Sequence, residues 1–214
     1  MTITKQIMQA FIDAISEAIN AHQSRLNALD SELGDGDHGT TISAGFDAAV
    51  ERIHEAETPA QVLQITAKTL MNRMGGSSGA LFGTLFQRAA MTVKDEATVS
   101  AEQFAAMWQA GLDGVVMRGK AQPGDKTMVD ALAPAVDALR QAVDGGKSLL
   151  AALEMAADAA ENGAQSTADM QAKYGRARYV GERAIGHVDA GAQSVALMFA
   201  AMHSYWKDNA HGEA

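Results

Sequence analysis

Hydrophobic residues recur along this chain at steps of three and four positions, the spacing that puts side chains on one face of an α-helix. The first series predicts one long amphipathic helix and comprises Ile3, Ile7, Phe11, Ile15, Ile19, Leu26 and Leu29. A second helix is indicated by Ile42, Phe46, Val50 and Ile53. A third should begin at Thr58 and Pro59 and run to about Arg73, because a threonine cap followed by proline is a common helix start.

Five further helices are predicted downstream, which makes eight in all. They cover residues 79–93, 101–117 (after a cap at Ser100), 127–143, 149–172 and 191–206. β-Branched residues are scattered, and no segment alternates in the way that indicates a β-hairpin. We therefore expect a single all-α domain over residues 1–214, a bundle or barrel whose alanine-rich helices approach closely.

The composition narrows the class of protein. A chain of 214 residues with 47% hydrophobic residues can form one large core. Its net charge of −9 argues against nucleic acid or an anionic membrane as a partner. The absence of cysteine excludes disulfides and thiolate chemistry. The N-terminal residues MTITKQIMQAF lack the apolar core and cleavage site of a signal peptide, and the longest apolar run, 195–202, is too short to cross a bilayer, so we expect a cytoplasmic protein.

The first cluster with possible chemistry contains three aspartates, Asp30, Asp35 and Asp37. Positions five apart on a continuous helix diverge by about 140°, so these side chains can converge only if the helix ends between them. Gly34 and Gly36 allow such an end. Three converging carboxylates would repel one another and favour a hard cation such as Mg²⁺.

An EF-hand and an ordinary capped turn are alternatives to the metal site for this cluster. An EF-hand is excluded, because a loop that begins at Asp35 would place Phe46 where the bidentate glutamate belongs. An ordinary capped turn, with Asp37 as the N-cap of the second helix, remains open. His38 is expected to contact a ligand or support the site rather than bind Mg²⁺, which rarely accepts nitrogen ligands.

Three more clusters lie between predicted helices. The segment MGGSSGALFG (74–83) enters a helix and would offer free backbone N–H groups to an anion, although a glycine-rich turn explains it equally well. The segments RGKAQPGDKT (118–127) and YGRARYVGERAIGHVDAGA (174–192) carry basic residues that are either solvated surface charges or part of a site. Together, the four clusters match a metal–polyphosphate site.

The four segments also resemble, in order, the motifs of the nucleotide-binding L subunit of dihydroxyacetone kinases. The matching stretches are LDSELGDGDHG, MGGSSGALFGT, RGKAQPGDKTM and GRARYVGERAIGHVDAGAQS, and the resemblance extends over nearly the whole chain. It implies an eight-helix antiparallel barrel with the nucleotide at one end, which agrees with the helix count reached from periodicity.

The resemblance further implies roles for individual residues. Asp30, Asp35 and Asp37 would bind two Mg²⁺ ions that bridge the phosphates of ADP or ATP. Ser77 and Ser78 would face the phosphates. The nucleotide site would be lined by His38, Gly39, Thr40, Thr41, Ser77, Ser78, Gly119, Met128, Arg176, Asp189, Ala190 and Gly191.

The resemblance is more specific at some positions, and the chain departs from the family pattern at others. Gly119 and Met128 would border the adenine, and Arg176 is expected to stabilise charge on the transferring phosphoryl group. The family usually has proline where Ala190 stands, which makes the shape of that turn an open question. Arg178 occupies a position where no basic residue is expected, and it has no assigned role.

The resemblance implies partner subunits, because a separate K subunit would bind dihydroxyacetone covalently through a histidine. Two forms of the family remain open. In one, ADP stays bound and a phosphotransferase-system protein, the M subunit, converts it to ATP in place. In the other, ATP exchanges freely and the ketose is dihydroxyacetone or a related ketotriose or ketotetrose. A chain of this length that begins with its own methionine favours the first form.

Two functions of other classes are alternatives to the kinase subunit. A nucleotide-loaded interaction module that reports phosphorylation state to a regulator would use the same site. A Mg²⁺-dependent phosphohydrolase is disfavoured, because no residue near the aspartates is an obvious base for activating water.

Overall fold

The structure is a computed structural model that describes residues 2–209. Over this range the chain forms α1 (Lys5–Ala21), α2 (Gln23–Leu33), α3 (His38–Ile53), α4 (Pro59–Arg73), α5 (Gly76–Thr92), α6 (Ala101–Gly119), α7 (Val129–Asp144), α8 (Leu149–Ser166) and α9 (Ala190–Asn209). Three short 3₁₀ turns lie between α8 and α9: Thr167–Asp169, Arg176–Tyr179 and Gly181–Ala184. A single bridge, Ile3 to Val99, is the only β-pairing within residues 2–209. The all-α prediction is confirmed.

Helix starts follow the polar residues that the sequence indicated. The Thr58 side chain accepts the backbone N–H of Gln61 at 3.2 Å, and Pro59 is the first residue of α4. At the start of α6, the Ser100 side chain accepts the Gln103 N–H at 3.2 Å, while the Gln103 side chain accepts the Ser100 N–H at 2.8 Å. This reciprocal pair satisfies N–H groups that the helix itself leaves free.

Two predicted helices end earlier than expected. The first is divided at His22, whose ring nitrogen contacts the Ala18 carbonyl at 2.8 Å, the group that would accept the His22 N–H in a continuous helix. The helix predicted over 149–172 ends at Ser166. There the hydroxyls of Ser166 and Thr167 donate to backbone carbonyls three residues earlier and thereby occupy acceptors of the last turn.

Eight of the helices form a closed ring. α1 packs against α3, each of α3 to α8 packs against the next helix in the chain, and α9 packs back on α1. α2 follows α1 after a single residue and, like α1, contacts α3 and α9. Because neighbours in such a ring are antiparallel, alternate connections lie at the same end. The connections α2–α3, α4–α5, α6–α7 and α8–α9 therefore share one end of the barrel.

Aromatic side chains fill the interior of the ring. The Trp108 and Phe199 rings, on α6 and α9, have centroids 4.9 Å apart, and Phe11 on α1 lies 5.9 Å from Phe104 on α6. These helices are not neighbours in the ring, so the contacts cross its centre and pack it.

Among the helices of residues 2–209, none has the length and apolar character needed to cross a membrane.

Candidate functional site

The four connections at the shared end enclose a cavity of about 570 Å³. Each of the four sequence clusters contributes to its wall, although the first and last are more than 130 residues apart in the chain. Of the residues predicted for the site, those that line the cavity are Asp30, Asp35, Asp37, His38, Thr41, Ser77, Ser78, Gly119, Met128, Arg176, Asp189, Ala190 and Gly191.

The three aspartates converge at one side of the cavity. One carboxylate oxygen from each of Asp30, Asp35 and Asp37 lies within 4.8 Å of the others. Gly34 ends α2, and Gly36 has φ +76°, a left-handed conformation that favours glycine. A Cβ atom on Gly34 would also lie only 2.5 Å from the Asp30 carboxylate. The two glycines thus let the chain turn sharply enough to bring the carboxylates together.

The turn is capped by Asp30 and not by Asp37. Asp30 Oδ2 accepts the backbone N–H groups of Asp37 at 3.0 Å and His38 at 3.2 Å. Asp37 occupies the N-cap position of α3, but its side chain makes no capping hydrogen bond. The side chain of Asp37 is therefore available to a cation, as is the other carboxylate oxygen of Asp30, Oδ1.

His38 is buried behind the acidic cluster. Its Nε2 lies 2.9 Å from the Ser194 hydroxyl, and that hydroxyl donates to the Ala190 carbonyl at 2.9 Å. Because the hydroxyl proton is already used, Ser194 must accept from a protonated Nε2. Burial lowers the pKa of His38, against the opposing effect of Asp30. A neutral imidazole therefore links α3 to the start of α9.

The start of α5 faces the cavity from a second side. Gly75 is the N-cap and has no side chain to satisfy the first N–H groups of the helix. Gly76 has φ +65°, and a Cβ atom there would meet nothing within 4 Å. Ser77 and Ser78 follow and line the cavity. Unsatisfied N–H groups at the positive end of a helix attract anions.

The connection between α6 and α7 forms a third wall and is held by two aspartates. Asp125 Oδ2 accepts the Gln122 N–H at 2.7 Å, and Asp130 Oδ2 accepts the Thr127 N–H at 2.7 Å. Lys173 donates to Asp125 at 2.7 Å, and this hydrogen bond is the largest cause of the lowered pKa of Asp125. The loop is thereby fixed, with Gly119 at its entry and Met128 at its exit.

Lys126, in the same loop, is neither a solvated charge nor an exposed cation for phosphate. Only 1% of its surface is exposed, and its Nζ donates to the backbone carbonyls of Thr167 and His187. Burial lowers its pKa, while the carboxylates of Asp189, Asp130 and Asp169 oppose that shift.

The connection between α8 and α9 covers the cavity from the fourth side. Ala177 and Val180 pack on a small apolar cluster of Leu33, Ala172 and Ala184, which anchors the segment to the end of α2. This packing brings the guanidinium of Arg176 against the carboxylate of Asp35. Acidic and basic groups predicted from separate motifs therefore meet in one place.

Asp189 lines the cavity just before the start of α9. Its Oδ2 accepts the Ala192 N–H at 2.8 Å, and its own N–H donates to the Thr167 hydroxyl at 2.9 Å. Burial raises the pKa of Asp189 to about 6, although its hydrogen bond from Ala192 and the nearby Lys126 charge act in the opposite direction. The turn with Ala190 in place of proline forms a regular start of α9.

Gly39 and Thr40 do not line the cavity. They follow His38 in α3, where successive residues turn by about 100°, so they face α2 while His38 and Thr41 face inward. A Cβ atom on Gly39 would lie 2.1 Å from the Gln23 carbonyl, so this glycine permits close packing of α2 and α3. Thr40 is bonded to the Asn27 side chain through both its N–H and its hydroxyl.

Residues that the sequence analysis did not single out complete the cavity. An apolar wall is formed by Leu81, Phe82, Val115 and Val129, and Tyr174 closes one edge with its hydroxyl donating to the Lys120 carbonyl at 2.9 Å. The helical repeat contained a signal for part of this wall, because Leu81 and Phe82 lie one turn beyond Ser77 and Ser78.

Comparison with known proteins identifies the family. The DAK2 domain family matches residues 32–204. The ADP-binding subunit DhaL of the PEP-dependent dihydroxyacetone kinase of Escherichia coli (strain K12) is 41% identical, over 92% of this chain and 95% of that protein. The D-erythrulose kinase of Mycolicibacterium smegmatis is 36% identical, over 89% of this chain but 33% of that longer protein.

A solved structure agrees with this assignment. The crystal structure of the dihydroxyacetone kinase from C. freundii in complex with AMP-PNP and Mg²⁺ matches with a TM-score of 0.72 and 28% identity. The match covers 96% of this chain and 35% of that one. The chain therefore belongs to the DAK2 domain family and, within it, to the DhaL-type subunits of dihydroxyacetone kinases.

Proposed function

We propose that this chain is the ADP- or ATP-binding phosphoryl-transfer subunit of a dihydroxyacetone kinase, that residues 1–214 form one nucleotide-binding domain, and that it works in the cytoplasm. One observation carries the proposal: three carboxylates, the start of α5 and Arg176 face the same cavity. Carboxylates alone would repel phosphates, so this combination suits a polyphosphate that binds together with a divalent cation. The E. coli relative is named as an ADP-binding subunit.

The donor set fits magnesium. Asp30, Asp35 and Asp37 offer only oxygen ligands, and two of the three residues, Asp35 and Asp37, are exposed. We assign two Mg²⁺ ions to this cluster. When bound, the ions would neutralise phosphate charge and polarise the transferred group. Arg176 contacts Asp35, and its guanidinium would be available to the phosphates when a cation neutralises that carboxylate.

The remaining walls suit the rest of a nucleotide. Ser77 and Ser78 and the N–H groups at the start of α5 would hold phosphate oxygens. Gly119 and Met128 lie beside the apolar wall and would border the adenine, since a base is excluded from water best between such surfaces. Asp189, at the start of α9, would complete the site with Ala190 and Gly191.

The acceptor and the donor would be held by partner subunits. We propose that a K subunit presents dihydroxyacetone and that a phosphotransferase-system M subunit recharges ADP to ATP in place. The segment above the acidic cluster is a suitable docking face, because Tyr179 and Ile185 are exposed there and Arg178 stacks on the Tyr179 ring. The higher identity to the PEP-dependent E. coli subunit favours this form.

A second candidate is the nucleotide subunit of an ATP-dependent kinase for dihydroxyacetone or a ketotetrose. The similarity to a D-erythrulose kinase at 36% identity supports it. A nucleotide-loaded regulatory module would use the same cavity and would differ only in its partner.

One experiment separates these candidates. Purified chain is combined with the K subunit and dihydroxyacetone, and product is measured with either free ATP or a phosphorylated M subunit. We expect turnover with the M subunit and little with ATP alone. Steady turnover on ATP without the M subunit would establish the ATP-dependent form. Lack of product under both conditions, with nucleotide bound, would favour the regulatory module.

A further inference from the structure

Lys126 has a rare environment for a lysine in a loop. Its surface is 1% exposed, and its backbone has φ +60°, a left-handed conformation that is costly for a residue with a Cβ atom. Its ammonium group donates to the carbonyls of Thr167 and His187. Buried ammonium groups need such partners, so the loop is built around this side chain.

The two carbonyls belong to opposite ends of the connection between α8 and α9. Thr167 begins this connection, and His187 lies near its end. The Thr167 hydroxyl also accepts the Asp189 N–H at 2.9 Å, which joins the two ends directly. The ammonium group of Lys126, in the α6–α7 connection, is therefore hydrogen-bonded to both ends of the segment that carries Arg176 and leads into Asp189.

We propose that Lys126 is a positioning residue for phosphoryl transfer, which sets the places of Asp189 and Arg176 by bonding both ends of the 167–189 segment to the α6–α7 connection. The inference rests on the nucleotide site proposed above. Lys126 also lines the cavity, but both hydrogen bonds of its ammonium group go to protein carbonyls, so we assign it the role of positioning these residues. Groups that orient the ligands of a metal ion commonly change affinity or activity by about 10- to 100-fold when removed, and we expect an effect of the same order from a group that orients Asp189 and Arg176.

The test uses the absence of cysteine from the chain. In Lys126→Cys the new thiol is unique, and it can be alkylated in denaturant before refolding. Bromoethylamine creates a side chain of lysine length that ends in an ammonium group, whereas propyl bromide creates one of equal length without charge. Wild type is refolded in parallel, and Lys126→Met, expressed without refolding, provides a second uncharged variant.

Two quantities are measured in each protein. The first is the dissociation constant for Mg²⁺–ADP, which we expect to rise about 10- to 100-fold in the propyl and Met forms and to return to within about threefold of wild type in the aminoethyl form. The second is hydrogen exchange in ligand-free protein, where the Asp189 amide should exchange faster in the uncharged forms. Turnover with partner subunits should fall further than binding, because Arg176 is also displaced.

Lys147→Met is the matched control. It removes a lysine that is exposed in the connection between α7 and α8, at the end of the barrel opposite the cavity. We expect near wild-type binding and exchange at Asp189. Equal dissociation constants for Mg²⁺–ADP in the propyl and aminoethyl forms would overturn the proposal. So would hydrogen exchange of the Asp189 amide in Lys126→Met that is as slow as in wild type. If wild type itself does not bind Mg²⁺–ADP, the proposed function is wrong. The hydrogen-exchange measurement would then still test whether Lys126 positions Asp189.

Discussion

The carboxylate of Asp30 accepts the backbone N–H of Asp37 at 3.0 Å. The residue in the last turn of α2 thus fixes the start of α3, while the side chain of Asp37 makes no capping hydrogen bond. The acidic cluster therefore contains one aspartate with a structural bond and two, Asp35 and Asp37, that are exposed at the cavity. This division has consequences that can be measured.

Replacement of Asp35 or Asp37 by asparagine should abolish nucleotide retention without harming the fold. Asparagine keeps the size of the side chain but removes a charge that would face Mg²⁺. In the absence of metal and nucleotide, stability should change by no more than about 0.5 kcal/mol, as for other exposed positions. Nucleotide is quantified after desalting, and unfolding is followed by circular dichroism.

Asp30→Ala provides the contrast for that experiment. It should lose nucleotide and also about 1 kcal/mol of stability, because the N–H groups of Asp37 and His38 lose their acceptor. Asparagine variants of Asp35 and Asp37 that retain nucleotide as well as wild type would show that the turn has no role in metal binding.

Arg176→Ala should lower turnover far more than nucleotide affinity. A guanidinium that stabilises charge on the transferring phosphoryl group contributes most in the transition state. Arg176→Lys should restore little activity, because the planar fork is lost. Steady-state kinetics with the partner subunits and direct titration of nucleotide give the two quantities.

Arg178→Ala is the control for Arg176. Arg178 lies two residues away and stacks on the exposed Tyr179 ring instead of reaching the acidic cluster. We expect this variant to bind nucleotide with wild-type affinity and to transfer phosphate normally once the partner subunits are saturating, because Arg178 belongs to the proposed docking face and not to the nucleotide site. An Arg176→Ala protein that binds nucleotide weakly yet turns over normally at saturation would place Arg176 in ground-state binding.

Chelation of metal should release the nucleotide. Protein purified in Mg²⁺ is expected to carry nearly one ADP per chain, and EDTA should strip it, because carboxylates would then face phosphates without an intervening cation. Loss of a ligand present at about 100 times its dissociation constant removes about 2.7 kcal/mol of stability. For a protein of this size the melting temperature should fall by about 5–10 °C. Bound nucleotide that survives EDTA would contradict the metal-bridged site.

Asp189→Asn should alter how stability depends on pH. Because burial raises the pKa of Asp189 to about 6 from an ordinary value of 3.8, the unfolded chain loses this proton first as pH rises. Asp189 therefore lowers the free energy of unfolding progressively between about pH 4 and pH 6, and the full loss, of the order of 1–3 kcal/mol, is present above pH 6. Asparagine does not ionise, so the variant should not lose this stability, and its side-chain oxygen can still accept the Ala192 N–H.

Denaturant unfolding of wild type and Asp189→Asn, without metal or nucleotide, measures this effect. The variant should gain stability relative to wild type between pH 4.5 and pH 7.5. Asp189→Glu, which keeps the charge, serves as the control and should show no comparable gain. If the free energies of unfolding of variant and wild type differ by the same amount at pH 4.5 and at pH 7.5, the pKa of Asp189 is not raised by folding.

Local patterns were sufficient for most of the helices. Periodic apolar residues and caps such as Thr58 and Ser100 act within a few positions of the chain, and their effects are visible without knowledge of distant contacts. The break at His22 was not predictable in this way. It depends on which of two donors, a ring nitrogen or a backbone N–H, takes the Ala18 carbonyl, and the apolar stripe continues on both sides.

The acidic motif was likewise readable from residue types and spacing, because glycine can end a helix and converging carboxylates attract a cation. Closure of the helical ring was needed to bring Arg176 to Asp35 and to turn Gly39 and Thr40 away from the cavity. It also buried Lys126 between the ends of a segment distant in the chain. Such contacts join residues with no local relationship, and their energies depend on packing and burial that arise only when all the helices are assembled.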